Sequence, residues 1–402
     1  NNMSNRLLRV GITQGDINGV GLEIVLKTFA IPEMLGLCTP VIYGVGKALA
    51  YHRKALDMQL NVAGVRSAED ATDGRVNMVS LSDEEVPITL GQPSPEAGAT
   101  AFAALERAVA DLRAGHIDVL VTAPVSKGSI PGFSGHTEYI EAQMRQAAAP
   151  VATGEPPVLP PADDDELPPP PPFEGEAPRP VTPPLPRNEA LIMLMNSQMR
   201  IALVTSHLPL REVANAITQE SLVRKLRAFD HSLRRDFTIT RPRIAVLGLN
   251  PHAGDNGNLG SEEQTVIRPA IEEATKMGVH AHGPYAADSF FGTRAYEHFD
   301  GVLAMYHDQG LASFKALAME NGINFTAGLD VVRTAPDLGV SYDIAGKGVA
   351  DETPFREAIY AAIDIYRNRI AWDEGHENPL RKLYHERKED ERPFGRQPQM
   401  RL

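Results

Sequence analysis

The chain has 402 residues, of which 43% are hydrophobic and 23% charged, an ordinary balance for a globular protein with one large α/β unit or two lobes. The formal net charge of −13 argues against a nucleic-acid partner, because phosphate backbones are bound by clustered Lys and Arg. Cys38 is the only cysteine, and no apolar run approaches the roughly 20 residues of a membrane span. The first residues lack the apolar core of a signal peptide. We therefore predict a cytoplasmic protein without a membrane partner.

Strand-like apolar segments alternate with helix-like segments along most of the chain. The strand candidates are 7–13, 40–45, 117–123, 200–206, 243–249, 301–306 and 323–329, with a shorter possible strand around His280 and His282. The clearest helices between them are 94–115 and 261–278. Continuous β-branched and aliphatic runs suit strands that are buried on both faces of a parallel sheet and covered by helices. The alternation therefore predicts an α/β fold.

The first strand candidate leads into a glycine-rich turn, GITQGDINGVGLEI, at 11–24. The positions of Gly15, Gly19 and Gly21 do not give the GxGxxG spacing, and no acidic residue ends a strand about 20 positions further on. The segment predicts a tight turn rather than the usual dinucleotide-binding fingerprint.

The segment 150–187 interrupts the alternation. It holds 15 of the chain's 32 prolines and the acidic run 163–166. Proline removes a backbone donor and fixes φ, so we expect a surface insertion that is extended or disordered. A docking peptide for a proline-reading partner is the alternative. The charge-rich tail from residue 378 is expected to be peripheral.

Three of the strand candidates run into a histidine, namely His207, His252 and His307. In open α/β sheets, ligands bind at the carboxyl ends of strands, so the three imidazoles can converge there. Neutral imidazole is a common ligand for Zn²⁺, Mn²⁺, Co²⁺ or Ni²⁺, and three of them leave coordination positions open for a substrate. A single histidine of this kind is more often a hydrogen-bonded loop residue. The three matching positions favour a metal site, although their spacing forms no local ligand motif.

Polar residues near these histidines suggest an anion pocket. Lys315 lies on the helix predicted after His307, Asn324 enters the next strand, and Arg333 follows that strand. Two cations with an amide between them can bind a phosphate or a carboxylate. The stretch GHTEYI at 135–140 adds His136 and Thr137 at a predicted helix start, where an anion is also favoured.

These segments together resemble the 4-hydroxythreonine-4-phosphate dehydrogenase family of pyridoxal phosphate biosynthesis, which has the isocitrate/isopropylmalate dehydrogenase-like fold. The resemblance covers about residues 7–372, apart from the proline-rich insertion. The motifs that carry it, in order, are GHTEYI, VTSHLPL, LNPHAGDNGNLGSEE, GPYAADSFF, YHDQGLASFK and INFTAGLDVVRTAPDLGVSYDIAGKG.

The resemblance implies a set of site residues. The expected ligands of a divalent metal (Zn, Mn, Mg, Co or Ni) are His207, His252 and His307. The expected contacts of a phosphorylated substrate are His136, Thr137, Lys315, Asn324 and Arg333. The stretch TAPDLGVSYDIAGKG is similar to the adenosine-binding loop of isopropylmalate dehydrogenases, so a bound NAD or NADP is expected near Thr334, Ala335, Pro336 and Asp337.

The resemblance also implies an architecture. We expect two α/β lobes with an active-site cleft between them, and a homodimer that shares the site and its metal across the interface. The nucleotide-binding lobe would comprise 1–149 with 330–402, and the metal, substrate and dimerisation lobe 188–329. The family's first turn usually reads GDPAGIGPE, whereas this chain has GDINGVGLE, with Ile17, Asn18 and Leu22 in place of its Pro and Ala residues. We expect the turn to persist.

The implied reaction is the oxidation of 4-phosphooxy-L-threonine at C3 by NAD⁺, followed by decarboxylation to 3-amino-2-oxopropyl phosphate. Lys315 and Asp288 are the candidates for proton handling. One alternative is a related dehydrogenase that acts on 4-phospho-threonate or erythronate phosphate. Two alternatives from other classes are a three-histidine zinc hydrolase and a non-catalytic scaffold that works through its proline-rich segment.

Overall fold

A twelve-stranded sheet runs through the part of the chain that the computed structural model describes, residues 6–148, 184–318 and 321–377. Most of the predicted insertion and the charge-rich tail lie outside these residues. The strands are β1 Leu8–Thr13, β2 Cys38–Gly44, β3 Val62–Val65, β4 Val76–Ser80, β5 Val119–Thr122, β6 Leu191–Met195, β7 Arg200–Leu203, β8 Arg243–Leu247, β9 His280–Tyr285, β10 Gly301–Ala304, β11 Ile323–Ala327 and β12 Arg333–Pro336. Their order in the sheet is β3-β4-β2-β1-β5-β12-β11-β6-β7-β10-β8-β9.

Eleven α-helices accompany the sheet within the described residues. They are α1 Gly21–Phe29, α2 Pro32–Leu37, α3 Gly46–Ala55, α4 Pro95–Ala114, α5 His136–Ala148, α6 Leu210–Ala216, α7 Gln219–Arg235, α8 Arg268–Lys276, α9 Ala287–Gly292, α10 His307–Ala318 and α11 Thr353–His376. The predicted helix 94–115 is α4, which begins after the N-cap Ser94 and ends at Gly115 in the left-handed conformation. The predicted helix 261–278 is a short π-helical turn, Glu263–Ile267, continued by α8. No described helix is long and apolar enough to cross a membrane.

All seven strand candidates form strands, and the possible strand around His280 is β9. The candidates missed β3, β4, β6 and β12. The prediction of a parallel sheet is right for the two outer groups of strands and wrong for the middle. Three successive pairings, β12–β11, β11–β6 and β6–β7, are antiparallel. The group from β3 to β12 therefore runs opposite to the group from β7 to β9.

The glycine-rich first turn is present as predicted. Gly15 has a φ of +70°, and a Cβ there would lie 2.5 Å from the carbonyl oxygen of Pro124, so a side chain is excluded. The departure Asn18 is fully buried. Its amide donates to the carbonyl of Gln92 at 2.9 Å and accepts from the backbone N–H of Thr89 at 2.8 Å. The asparagine thereby satisfies the backbone of a neighbouring loop, and the turn keeps its tight form.

The last helix, α11, is attached to the rest of the fold by a buried ion pair. Arg369 donates from Nε to Asp236 at 2.7 Å, and its Nη1 donates to the carbonyls of Leu329 and Val331 at 2.9 and 3.1 Å. Both charged side chains are less than a tenth exposed. The guanidinium thus connects α11 with the end of α7 and with the link between β11 and β12.

We predict that Arg369→Ala lowers the free energy of unfolding by about 3–5 kcal/mol, because it leaves the carboxylate of Asp236 buried without its cation. Unfolding in urea, followed by circular dichroism, measures this loss. The matched control is Asp373→Ala, which removes the more exposed partner of Arg235 and should cost less than about 1 kcal/mol. Equal losses in the two variants would contradict the assignment.

Candidate active site

The three predicted metal ligands follow three adjacent parallel strands. The strands β7, β10 and β8 are neighbours in that order, and they lead to His207, His307 and His252 respectively. His307 is the first residue of α10. Each of the three histidines therefore follows the carboxyl end of a strand, as the sequence suggests, and their convergence on one metal stays a prediction.

Two of the imidazoles lie close together. The ring centroids of His207 and His307 are 5.9 Å apart. The Nδ1 atom of His207 is 2.6 Å from Oε1 of Glu138, and that of His307 is 2.7 Å from Oδ1 of Asp308. A carboxylate that accepts from Nδ1 leaves the Nε2 lone pair for a metal, which is the usual arrangement of a metal-binding histidine. The donor set of this pair thus fits a divalent metal.

His252 lies in a different pocket of the same chain. Its pocket also contains Asp288, Tyr306, Asp308 and Gln309. Within the described ranges, no group of three or more His, Cys, Asp or Glu side chains converges on a possible metal position. A single chain therefore brings together His207 and His307 but not the third predicted ligand.

The loop that carries His252 has an unusual backbone. Five consecutive residues, 252–256, have φ between +41° and +79°, and four of them are not glycine. Each such residue costs about 1–2 kcal/mol relative to the ordinary conformation. The buried carboxylate of Glu263 compensates by accepting from the backbone N–H groups of Leu249 and Asn250 at 2.8 and 2.7 Å. These hydrogen bonds fix the residues that lead into the loop.

A small cavity of about 140 Å³ lies beside the His207–His307 pair. Its lining includes His136, Thr137, Asn324 and Arg333, four of the five predicted substrate contacts. Those residues come from α5, β11 and β12, and the side chains of β6 complete one wall. The structure therefore brings the predicted phosphate pocket and two predicted metal ligands into one site.

Arg333 is buried in this cavity without a carboxylate at ion-pair distance among the described residues. Its guanidinium donates to Oγ1 of Thr122 at 2.6 and 3.1 Å and to Oγ1 of Thr326 at 3.2 Å. Only 4% of the residue is exposed. Burial lowers the pKa of Arg333 to about 10, so it remains a cation at neutral pH. A buried cation with neutral partners alone favours an anionic ligand.

Three further polar atoms of residues that line the cavity are shielded from solvent and have no hydrogen-bond partner in the described part of the chain. They are Nε2 of His136, Oδ1 of Asn324 and Oε2 of Glu138. Burial, together with Arg333 and Lys127, holds the pKa of His136 well below its usual value, so the ring is neutral. Unsatisfied buried polar atoms are rare in proteins, and a cluster of them indicates a ligand.

Lys315, the fifth predicted substrate contact, does not line this cavity. Its ammonium forms an ion pair with Asp337 at 3.2 Å. The other catalytic candidate, Asp288, lies in the pocket of His252. Within one chain, the two candidates for proton handling therefore do not line the same pocket.

The predicted cofactor residues Thr334, Ala335 and Pro336 lie in β12 rather than in a loop, and Asp337 follows that strand. Thr334 is fully buried, and its hydroxyl donates to the carbonyl of Ala358 at 2.7 Å. Its side chain is thus engaged in packing β12 against α11.

Two charged residues of the cavity lining were not predicted as site residues, Lys127 and Glu138. Lys127 follows β5, and Glu138 lies on the first turn of α5. Burial alone would raise the pKa of Glu138, but hydrogen bonds to His207 and to its own backbone N–H lower it overall. The sequence signal that could have identified Glu138 is its position in GHTEYI, two residues after the predicted substrate contact His136.

We predict that the protein binds inorganic phosphate and that Arg333→Met weakens this binding about 10- to 100-fold, as expected for the loss of charge-assisted hydrogen bonds. The cation is present below its pKa of about 10, so binding should persist through about pH 8 and decline as the pH approaches that value. Isothermal titration calorimetry measures both effects. Arg187→Met, which removes an exposed partner of Asp330, is the control. Unchanged affinity in the Arg333 variant would contradict the assignment.

Comparisons with known proteins identify relatives of this chain. The family model "Pyridoxal phosphate biosynthetic protein PdxA" matches residues 36–153 and 184–362. A 4-hydroxythreonine-4-phosphate dehydrogenase of Bacteroides thetaiotaomicron is 50% identical over 96% of this chain and 97% of its own length. A D-threonate 4-phosphate dehydrogenase of Cupriavidus necator is 32% identical over 91% of this chain and 100% of its own length.

Solved structures match as well. The crystal structure of a 4-hydroxythreonine-4-phosphate dehydrogenase from Klebsiella pneumoniae superposes with a TM-score of 0.69 at 27% identity, covering 90% of this chain and 99% of that one. The corresponding structure from Burkholderia phymatum gives 0.64 at 30% identity, with the same coverage. The chain belongs to the PdxA family of pyridoxal phosphate biosynthetic proteins.

Proposed function

We propose that the protein oxidises 4-phosphooxy-L-threonine at C3 with NAD⁺ or NADP⁺ and a divalent metal, and that loss of CO₂ then yields 3-amino-2-oxopropyl phosphate. The observation that carries the proposal is the Arg333 cavity next to the paired imidazoles of His207 and His307. The cavity combines a buried cation that favours a phosphate with two imidazoles that can bind a metal. The metal-dependent oxidation of a phosphorylated hydroxy acid requires both features.

The substrate's phosphate would bind at Arg333 and at the start of α5, where His136 and Thr137 present their side chains and the helix N-terminus favours an anion. This placement holds the rest of the substrate towards His207 and His307 and fixes the orientation of C3. Nε2 of these two histidines would hold the metal. When bound, a divalent metal supplies Lewis-acid polarisation of the hydroxyl that is oxidised, and the nicotinamide supplies the hydride acceptor.

Three protein groups are available for the remaining steps. The unpartnered Oδ1 of Asn324 can accept a hydrogen bond from a hydroxyl or amino group of the substrate. Lys315 and Asp288 are the candidates for taking the proton of the C3 hydroxyl and for returning a proton to C2 after CO₂ leaves. In one chain Lys315 is held by Asp337, so this role requires the ammonium to leave that carboxylate.

We also propose a homodimer in which the partner subunit's His252 completes the metal site. Two observations support it. His252 and Asp288 line an open pocket away from His207. Exposed leucines lie beside both segments that would meet at the interface. Leu208 and Leu210 follow His207, and Leu259 follows the loop of His252.

The predicted lobes, 1–149 with 330–402 and 188–329, are part of this proposal. Of the residues that line the cavity, His136 and Arg333 belong to the first lobe, and His207 and Asn324 belong to the second. This is the arrangement expected of a cleft between two lobes. The location in the cytoplasm stays a prediction.

A second candidate substrate is D-threonate 4-phosphate, which is favoured by the Cupriavidus necator relative. The two substrates differ at C2, where an amino group replaces a hydroxyl. The anion pocket binds the phosphate that they share, so it does not separate them.

Reduction of NAD⁺ or NADP⁺, followed by nicotinamide absorbance, tests the reaction. We expect turnover with 4-phosphooxy-L-threonine to exceed that with D-threonate or erythronate phosphates, to stop with a chelator, and to return with one of Zn²⁺, Mn²⁺, Mg²⁺, Co²⁺ or Ni²⁺. His252→Ala should abolish the metal-dependent turnover. No reduced nicotinamide with any phosphorylated hydroxy acid would refute the proposal and leave the zinc hydrolase as the reading to test.

Mixing two inactive variants tests the shared site. We expect His207→Ala and His252→Ala each to be inactive, because each removes one ligand from every site. In a mixed dimer, one of the two sites receives both defects and the other is intact. Randomly mixed subunits should therefore regain about a quarter of the parent activity if ligands come from both subunits of a twofold dimer. If hybrid dimers form but no activity returns, the three ligands of each site come from one subunit.

A further inference from the structure

A carboxylate supports one of the two paired imidazoles from a separate element of the fold. Glu138 lies on the first turn of α5, and its Oε1 is 2.6 Å from Nδ1 of His207. We propose that Glu138 is a positioning residue that holds His207 with its Nε2 presented to a divalent cation. This inference rests on the metal site of the proposed function.

The local backbone is arranged to admit this carboxylate. Gly135 has a φ of +156°, and a Cβ there would lie 2.5 Å from Oε2 of Glu138. The missing side chain lets the carboxylate fold back over the start of α5, where the helix dipole favours a negative charge. Oε2 is shielded from solvent and finds no hydrogen-bond partner in the ranges described. One oxygen of the carboxylate is therefore shielded from solvent, while the side chain as a whole is partly exposed.

The other paired imidazole provides a comparison. His307 makes an equally short contact, 2.7 Å, with Asp308. The side chain of Asp308 is 84% exposed and belongs to the adjacent residue, whereas that of Glu138 is 32% exposed. Water competes with the imidazole for the hydrogen bonds of a solvated carboxylate, so such a carboxylate restrains the ring less. The larger effect on metal binding is accordingly assigned to Glu138.

The hydrogen bond has two chemical consequences. Nδ1 of His207 donates its proton to the carboxylate, so the neutral ring carries its lone pair on Nε2. The same bond fixes the rotation of the ring and raises its basicity as a ligand. Loss of such a carboxylate partner typically lowers metal affinity about 10- to 100-fold.

The test is Co²⁺ binding to the full chain without substrate or nicotinamide, measured by calorimetry and by the visible absorption of the bound ion. Glu138→Ala is expected to bind Co²⁺ about 10- to 100-fold more weakly, and Glu138→Gln, which keeps an acceptor oxygen but no charge, about tenfold more weakly. The matched control is Glu141→Gln on the same helix, where Glu141 pairs with Arg145. It should keep the parent affinity, and Asp308→Asn should lose less than Glu138→Ala.

The inference is overturned if both Glu138 variants keep the parent affinity while His207→Ala loses it, or if the parent protein binds no Co²⁺. Should Glu138→Ala fail to fold, the near-isosteric Glu138→Gln decides alone. A loss of Co²⁺ affinity in the Glu138 variants supports the inference even if the parent reduces no nicotinamide. In that case the proposed reaction fails and the role of Glu138 stands.

Discussion

The three successive antiparallel pairings in the middle of the sheet are the constraint on which the site depends. In a fully parallel sheet the carboxyl ends of all strands share one edge. Here the group that contains β5 and β12 runs opposite to the group that contains β7 and β10. Arg333 and Lys127 of the first group and His207 and His307 of the second line one cavity over β6 and β11, the strands that lie between the two groups. Those two strands contribute Ile192, Leu194 and Asn324 to the lining.

Burial and hydrogen bonding determine which groups of the cavity carry a charge. Arg333 keeps its cation because two threonine hydroxyls replace part of its hydration, whereas His136 is held neutral. Lys127 is the second cation of the lining. The lining also contains one carboxylate, that of Glu138, so the two cations leave a net positive charge that favours a phosphate in either of its common ionisation states.

The sequence predicted the parts of the fold that have a local signal. The seven strands and α4 have continuous apolar runs or a clear cap, and the three histidines stand out because each ends such a run. Strand β12 has only four residues, and β6 is rich in Leu and Met rather than in β-branched residues, so neither was predicted, although each pairs with the strand next to it in the chain. The reversal of strand direction has no local signature. The same limit applies to the site, where Glu138 contacts His207 across 69 residues and His252 faces a different pocket from the one expected.

The course of α5 separates the cavity of this chain from its proline-rich segment. The helix begins at His136 in the cavity and ends at Ala148, which at 1.5 Å per residue lies about 18 Å away, and the described chain resumes at Pro184. Ala148, the last described residue before the insertion, is thus set apart from the residues that line the cavity. For protein engineering, the same junction is a natural place to splice in a fluorescent reporter or an affinity handle while leaving turnover undisturbed.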